Sequence, residues 1–168
     1  MVEAGGRRIK RSVKIKVSSI RFLNQEDVIR LQKIELIKDY LTTKGEEIDE
    51  YNTANSIETA LLINGRRFTN IGVYRKYIDA YIKANQHINR GMTMMVRQLE
   101  PTINGIPIEL YVFTSDVKWI NYEHIMADLF DHILAAVAYF DLEIYEMPTS
   151  GDVRTVAHNI GFSENHKL

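Results

Sequence analysis

The chain has 168 residues, 45% of them apolar and 26% charged, and its 22 acidic and 21 basic side chains leave a formal net charge of −1. This is the composition of a globular chain with a core of its own. The balance of charge excludes a general pull toward nucleic acid or an anionic membrane, so a partner of either kind has to be met by a local patch.

The chain has no Cys, which excludes disulfides, thiolate nucleophiles and Cys-ligated zinc and fits a reducing compartment. Its longest apolar run, 133–140, falls far short of the roughly 20 residues of a membrane span. The opening "MVEAGGRRIKRS" is basic and lacks the apolar segment of a secretory signal. Residues 1–11 therefore read as a linker, 12–147 as the domain, and the whole as a soluble, cytosolic type of chain.

In "SVKIKVSSI", residues 12–20, Val13, Ile15 and Val17 alternate with Lys14 and Lys16, the two-residue period of a half-buried strand. From Asn24, a capping residue, the period becomes helical through Val28, Leu31, Ile34, Ile37 and Leu41, which predicts a helix from about 25 to 43 that stops near Gly45. The acidic "GEEIDEYNTANS" suits a short helix and then a loop. Asn64-Gly65 between two short runs predicts a hairpin near 59–69, because a type I′ turn needs positive φ at both central residues. In "NIGVYRKYIDAYIKANQHI" the helical period returns at Tyr74, Tyr77, Ile78, Tyr81 and Ile82. We read these tyrosines as a packed face with hydroxyls at its rim, in preference to a surface that stacks a ligand.

Two extended stretches, 92–99 and 106–114, flank a loop with Pro101, Asn104, Gly105 and Pro107, which predicts an antiparallel pair. A helix follows over 120–139, with Ile125, Met126, Leu129, Phe130, Ile133, Leu134 and Val137 on one arc. A short strand over 141–147 ends at Pro148, and 148–168 reads as a polar tail. With 46–90 set aside as an insertion, the order is strand, helix, strand, strand, helix, strand. The expected class is α+β: a ferredoxin-like βαββαβ antiparallel sheet with two helices on one face, plus an inserted hairpin and helix.

"EHIMADLFDH" puts His124, Asp128 and His132 on one helical stripe, with Glu123 and Asp131 alongside. Two imidazoles and a carboxylate are ligands that zinc or iron accepts. The two His are eight residues apart, however, about 12 Å along a helix at 1.5 Å per residue, too far for one ion. An adjacent pair, His124 with Asp128 or Asp128 with His132, would need ligands from elsewhere, and the plainer reading is the polar flank of an amphipathic helix. His87 stands at a helix end and His158 and His166 in the tail, none with a partner at ligand spacing.

No Gly-rich phosphate loop, G-x-S-x-G elbow or H-E-x-x-H motif occurs. We therefore assign no catalytic, cofactor-binding or metal residue and expect no enzyme. The basic stretch "RRIKRSVKIK", with Arg7, Arg8, Lys10, Arg11, Lys14 and Lys16, suits phosphates or anionic headgroups, or else a strand with a solvated face. Tyr111 and Phe113 share one side of a strand, as the base-stacking aromatics of an RNA-binding sheet do. The RNA-recognition consensus is absent from "IELYVFTS".

Three stretches, "GGRRIKRSVKIKVSSIRFL", "NGRRFTNIGVYRKYIDAYIKANQHI" and the run from "MTMMVRQLEPT" through "DLFDHI" to "EMPTSG", together resemble the cytoplasmic C-terminal region of bacterial small-conductance (MscS-type) mechanosensitive channels, in particular the miniconductance branch. The likeness covers roughly residues 5–150. It implies a homoheptameric channel of the bacterial inner membrane that opens under bilayer tension and releases ions and small solutes on hypo-osmotic shock. This domain would form part of the cytoplasmic vestibule, and 1–11 would be the linker from an upstream membrane and β-rich part. The segment 46–90 would be the insertion characteristic of the branch. The sequence contains no membrane span or pore segment, so no pore residue carries over, and the tail after Gly151 shows no clear barrel strand. The 168 residues by themselves are expected to be monomeric or a smaller oligomer. Two rival readings stand beside this one: a metal-binding protein using His124, Asp128 and His132, and an RNA-binding ferredoxin-like domain.

Overall fold

In the computed structural model, which describes residues 2–3 and 5–160, the β alternation begins earlier than residue 12. After a two-residue strand β1 (Val2–Glu3) and a turn at Gly5, whose φ is +92°, strand β2 covers Gly6–Ile15. The strand thus starts inside the stretch expected to be linker. It runs antiparallel to β4 (Ile106–Thr114), in register from Arg7 opposite Thr114 to Ile15 opposite Ile106. β3 (Met95–Gln98) pairs antiparallel with the other side of β4, and the sheet order is β1-β2-β4-β3. Because β1 adds only two residues, three strands carry the sheet, and the class is α+β.

The register decides the two faces. Ile9, Val13 and Ile15 face the same way as their partners Val112, Ile108 and Ile106, and all six are buried. Arg8, Lys10, Ser12 and Lys14 share the opposite face with Phe113, Tyr111, Glu109 and Pro107.

Helices α3 (Asn70–Ala84) and α4 (Trp119–Ala136) close the buried face. Thr69 starts α3 by accepting from the Gly72 N–H at 3.2 Å, and Ile71, Tyr74, Ile78 and Ile82 turn inward at helical spacing. Tyr74 is fully buried, and its hydroxyl donates to the Ile133 carbonyl of α4 at 2.7 Å. On α4 Met126, Leu129, Phe130 and Ile133 of the expected arc are buried, with Ala136 beside them, whereas Ile125 is half-buried and Leu134 exposed. Each aliphatic side chain buried here stabilises by about 1.5–3 kcal/mol. A 3-10 turn, Val137–Phe140, ends at Asp141 with φ +52°. The segment expected to be an insertion therefore supplies α3, a helix of the central core.

The helix expected over 25–43 is two helices, α1 (Gln25–Leu31) and α2 (Lys38–Ala54), separated by an extended Ile34 and a 3-10 turn at Glu35–Ile37. At 100° per residue, Ile37 on a continuous helix would point about 120° away from Leu31. The break lets Leu31, Ile37 and Leu41, each at most 1% exposed, enter one core. α2 then passes through Gly45 instead of stopping there, with Leu41 and Ile48 buried on either side.

No hairpin forms at 59–69. Gly65 does adopt positive φ, +69°, but a side chain pairs with the following residue in place of a strand. The carboxamide of Asn52, in α2, accepts from the Arg66 N–H at 2.9 Å and donates to its carbonyl at 3.0 Å.

The strand expected over 141–147 reduces to one bridge, Ile15 to Ile144, with Lys16 N–H donating to Glu143 O at 2.8 Å and Tyr145 N–H to Lys14 O at 2.9 Å. β2 leaves the sheet at Ile15 for a 3-10 turn, Val17–Ser19, so little of it remains to pair with. The segment read as a polar tail carries α5 (Ser150–Asn159), opened by a Thr149–Asp152 capping box, with all but Ala157 of its residues exposed.

Candidate functional site

His124, Asp128 and His132 lie on the exposed flank of α4, as their spacing predicts. Nothing joins them into a ligand set: among the described residues no group of three His, Cys, Asp or Glu side chains is placed to hold a metal ion. Glu123 accepts from the Trp119 indole N–H at 3.1 Å, and Asp131 is exposed.

His132 is bound instead by α3. Its ring lies on that of Tyr81, centroids 3.9 Å apart and planes 3° apart, and its Nε2 is hydrogen-bonded to the Tyr77 hydroxyl. Tyr77 also packs against Phe140 at 5.3 Å, and Phe140 against Tyr74 at 5.2 Å. Burial, with Tyr81 adding a smaller effect, raises the Tyr77 pKa; burial, then the charge of Asp128, raises that of Tyr81. Both hydroxyls accordingly stay protonated. The arrangement is an aromatic joint between two helices, with the imidazole as its outer plate. The tyrosine face was expected to be a packed one; its histidine partner comes from a helix about fifty residues further along, which spacing within α3 cannot reveal.

A polar junction that the sequence reading missed holds the other end of the helical layer. Asn70, fully buried at the start of α3, accepts from Arg21 N–H and Ile71 N–H, each at 2.9 Å, and donates to Ser19 O at 2.9 Å and Asp141 O at 3.4 Å. The Arg21 guanidinium beside it grips Asp27 at 2.8 and 3.0 Å and Asp141 at 2.7 Å. Arg30 meets the same Asp141 oxygen at 2.8 Å. The hydrogen bonds from Arg21 and the Asn24 N–H, against a smaller burial penalty, lower the Asp27 carboxyl to about 2. Asn24 and Asp27 form a reciprocal capping box at the start of α1, and that N-x-x-D spacing was the one readable trace of the junction.

The basic stretch is divided between the two faces of the sheet, with Arg8, Lys10 and Lys14 on the second one. Arg8 stands over the Tyr111 ring at 5.8 Å, while on the helical side Arg7 stands over Tyr122 at 4.5 Å and Arg11 over Phe130 at 5.6 Å. Lys16 pairs with Glu143 at 3.1 Å, and Arg97 with Glu109 at 2.7 Å. Among the described residues Arg7, Arg8, Lys10, Arg11 and Lys14 form no ion pair.

Tyr111 and Phe113 do share this face, edge to face at 5.7 Å, but Phe113 is only 2% exposed. The 87–94 loop covers it: Asn89 N–H donates to Phe113 O at 2.8 Å, and Met92 crowds the adjoining Gly6, where an added Cβ would lie 2.6 Å from its sulfur. One ring remains for a base, where an RNA-stacking sheet offers two or three. His87 serves the same loop through its backbone, its carbonyl accepting from Ser115 N–H at 2.8 Å. His158 is exposed on α5, and His166 lies outside the described residues.

A groove of about 490 Å³ runs between α1, α2 and the 59–68 segment, with Gln25, Gln32, Glu46, Asp49 and Arg66 on its walls. Arg67 is tied there to the Leu62 carbonyl at 3.0 Å and to the Thr59 carbonyl. No protein-family model matches the chain.

Proposed function

We propose that this chain is the cytoplasmic vestibule domain of a tension-gated mechanosensitive channel of the MscS type, a non-enzymatic part of a homoheptamer in the bacterial inner membrane. What carries the proposal is the likeness over roughly residues 5–150, in which the segment from "MTMMVRQLEPT" through "DLFDHI" follows the family's order.

The fold supports it. With the Ile144 segment counted as a fourth strand, its neighbour order is 141–147, β2, β4, β3, each adjacent pair antiparallel. Two helices, α3 and α4, close one face. On this proposal it is a ferredoxin-like βαββαβ arrangement whose last strand is reduced to the single bridge at Ile144. Among the described residues no helix is long and apolar enough to cross a membrane; in this reading the spans and the pore lie outside these 168 residues, and the domain shapes the path of released solutes.

Survival of osmotic downshock tests the proposal. Channel-deficient bacteria expressing the gene that encodes this chain should survive a sudden dilution that lyses the parent strain. Equal lysis at matched expression contradicts the reading.

A further inference from the structure

We propose that the basic strand β2 of one copy docks on the acidic face of α2 in a second copy. This inference rests on the self-assembling reading above and names the two surfaces that meet.

The near-neutral chain separates its charge in space. Lys10, Arg11 and Lys14 are exposed and Arg7 and Arg8 half-buried on one strand, without an ion pair among the described residues. The compensating charge stands on α2, where Glu46, Glu47, Asp49 and Glu50 are all exposed and Glu47 alone has a partner, Lys44 at 2.9 Å. No ion pair among the described residues joins the two surfaces within the chain, so each is available to a neighbour.

Lys10 and Lys14 are about 13 Å apart at 3.3 Å per strand residue, and Glu46 to Glu50 extend about 6 Å at 1.5 Å per helix residue, so the two lysine side chains converge on one acidic turn of α2. Glu46 and Asp49 also line the 490 Å³ groove, which has room for a lysine stem with its ammonium at the rim.

Lysines on an open strand edge also discourage strands from pairing. Edge protection calls for a charged strand; it does not call for an opposite charge of similar size on a separate helix. A polyanion fits less well, since the chain's net charge is −1 and Phe113 is closed to stacking. Because the two patches differ, the contact is heterologous, the kind that closes into a ring when the rotation permits.

Sedimentation velocity of the 168-residue chain over a concentration series at low salt tests the contact. The average mass should rise with concentration, and about 0.5 M salt should return it to the monomer by screening. Lys10→Glu/Lys14→Glu and Glu46→Lys/Glu50→Lys, each checked for an unchanged circular-dichroism melt, should each weaken self-association roughly tenfold or more, and mixing the two should restore it. Lys10→Gln/Lys14→Gln gives the same test with less perturbation should a reversal unfold the chain.

A monomer throughout, association indifferent to salt or to reversal, or binding of a single-stranded oligonucleotide through Lys10 and Lys14 without self-association would each overturn the inference. Tension-gated current without pairing of the swapped variants removes this contact and spares the channel reading. Pairing without current does the reverse.

Discussion

The His132 imidazole lies flat on the Tyr81 ring, planes 3° apart and centroids 3.9 Å apart, so a residue with the profile of a metal ligand is the outer plate of an aromatic stack. With Tyr77 hydrogen-bonded to its Nε2, His132 ties the flank of α4 to α3. A ligand for a metal would need that same nitrogen, or Nδ1 turned toward carboxylates that are not gathered there.

Removal of the plate should cost stability and leave metal response unchanged. His132→Ala is expected to lose about 1–2 kcal/mol, and Tyr77→Phe about 1 kcal/mol, for a stacked pair and one hydrogen bond. Thermal melts check both, and neither zinc nor a chelator should move the wild-type Tm, since a real site would raise it by mass action.

Asn70 is the residue whose loss is expected to cost most for its size. Asn70→Ala removes both acceptors and donors at a fully buried position, leaving the Arg21 N–H and Ser19 carbonyl without their partner. We expect a destabilisation of about 2–4 kcal/mol. Urea unfolding should show it as a lower midpoint at an unchanged slope.

Asp27 predicts how stability responds to acid. Its carboxyl is held at about 2 against an ordinary 3.8, so the stabilisation it contributes is fully present above about pH 4 and is lost as pH falls toward 2. The partner guanidinium is 40% exposed, which screens the pair and brings the expected contribution to about 1–2 kcal/mol. Asp27→Asn should be less stable than wild type by that amount at pH 7, and the two chains should converge near pH 2, as followed by urea unfolding across the range.

Gly105 controls the approach of the 141–147 segment to β2. Its φ is +89°, and an added Cβ would strike the Ile15 carbonyl oxygen and lie 3.3 Å from Tyr145 Cβ. Gly105→Ala is expected to cost about 2–4 kcal/mol from strain and collision together. Faster amide hydrogen exchange at Tyr145, whose N–H donates to Lys14 O at 2.9 Å, should mark the loosened bridge.

Much of the layout was legible because periodicity reports burial. β4 matches its expected range, 106–114, end to end, and the centre of the α4 arc, Met126 to Ile133, faces the core, while Leu134 at its margin is exposed. Where tertiary packing overrode local pattern, the reading failed. Leu31, Ile37 and Leu41 recur at spacings that suit one helix, yet Ile37 would stand about 120° from Leu31 on it, and only a break brings all three into the core. Asn64-Gly65 correctly signalled a positive φ at Gly65, but the residue that pairs with Arg66 is Asn52, a side chain that a hairpin template does not contain. The site divides in the same way: the stripe of His124, Asp128 and His132 was read correctly as a flank, whereas the partners Tyr77 and Tyr81 belong to a helix that the expected topology had put in an insertion.

Patch recording tests the central claim most directly. Membrane patches from channel-deficient bacteria expressing the gene that encodes this chain should show stepwise, tension-activated openings absent from the parent strain. Silent patches up to the tension at which they rupture, with the protein present in the membrane, would contradict the channel account.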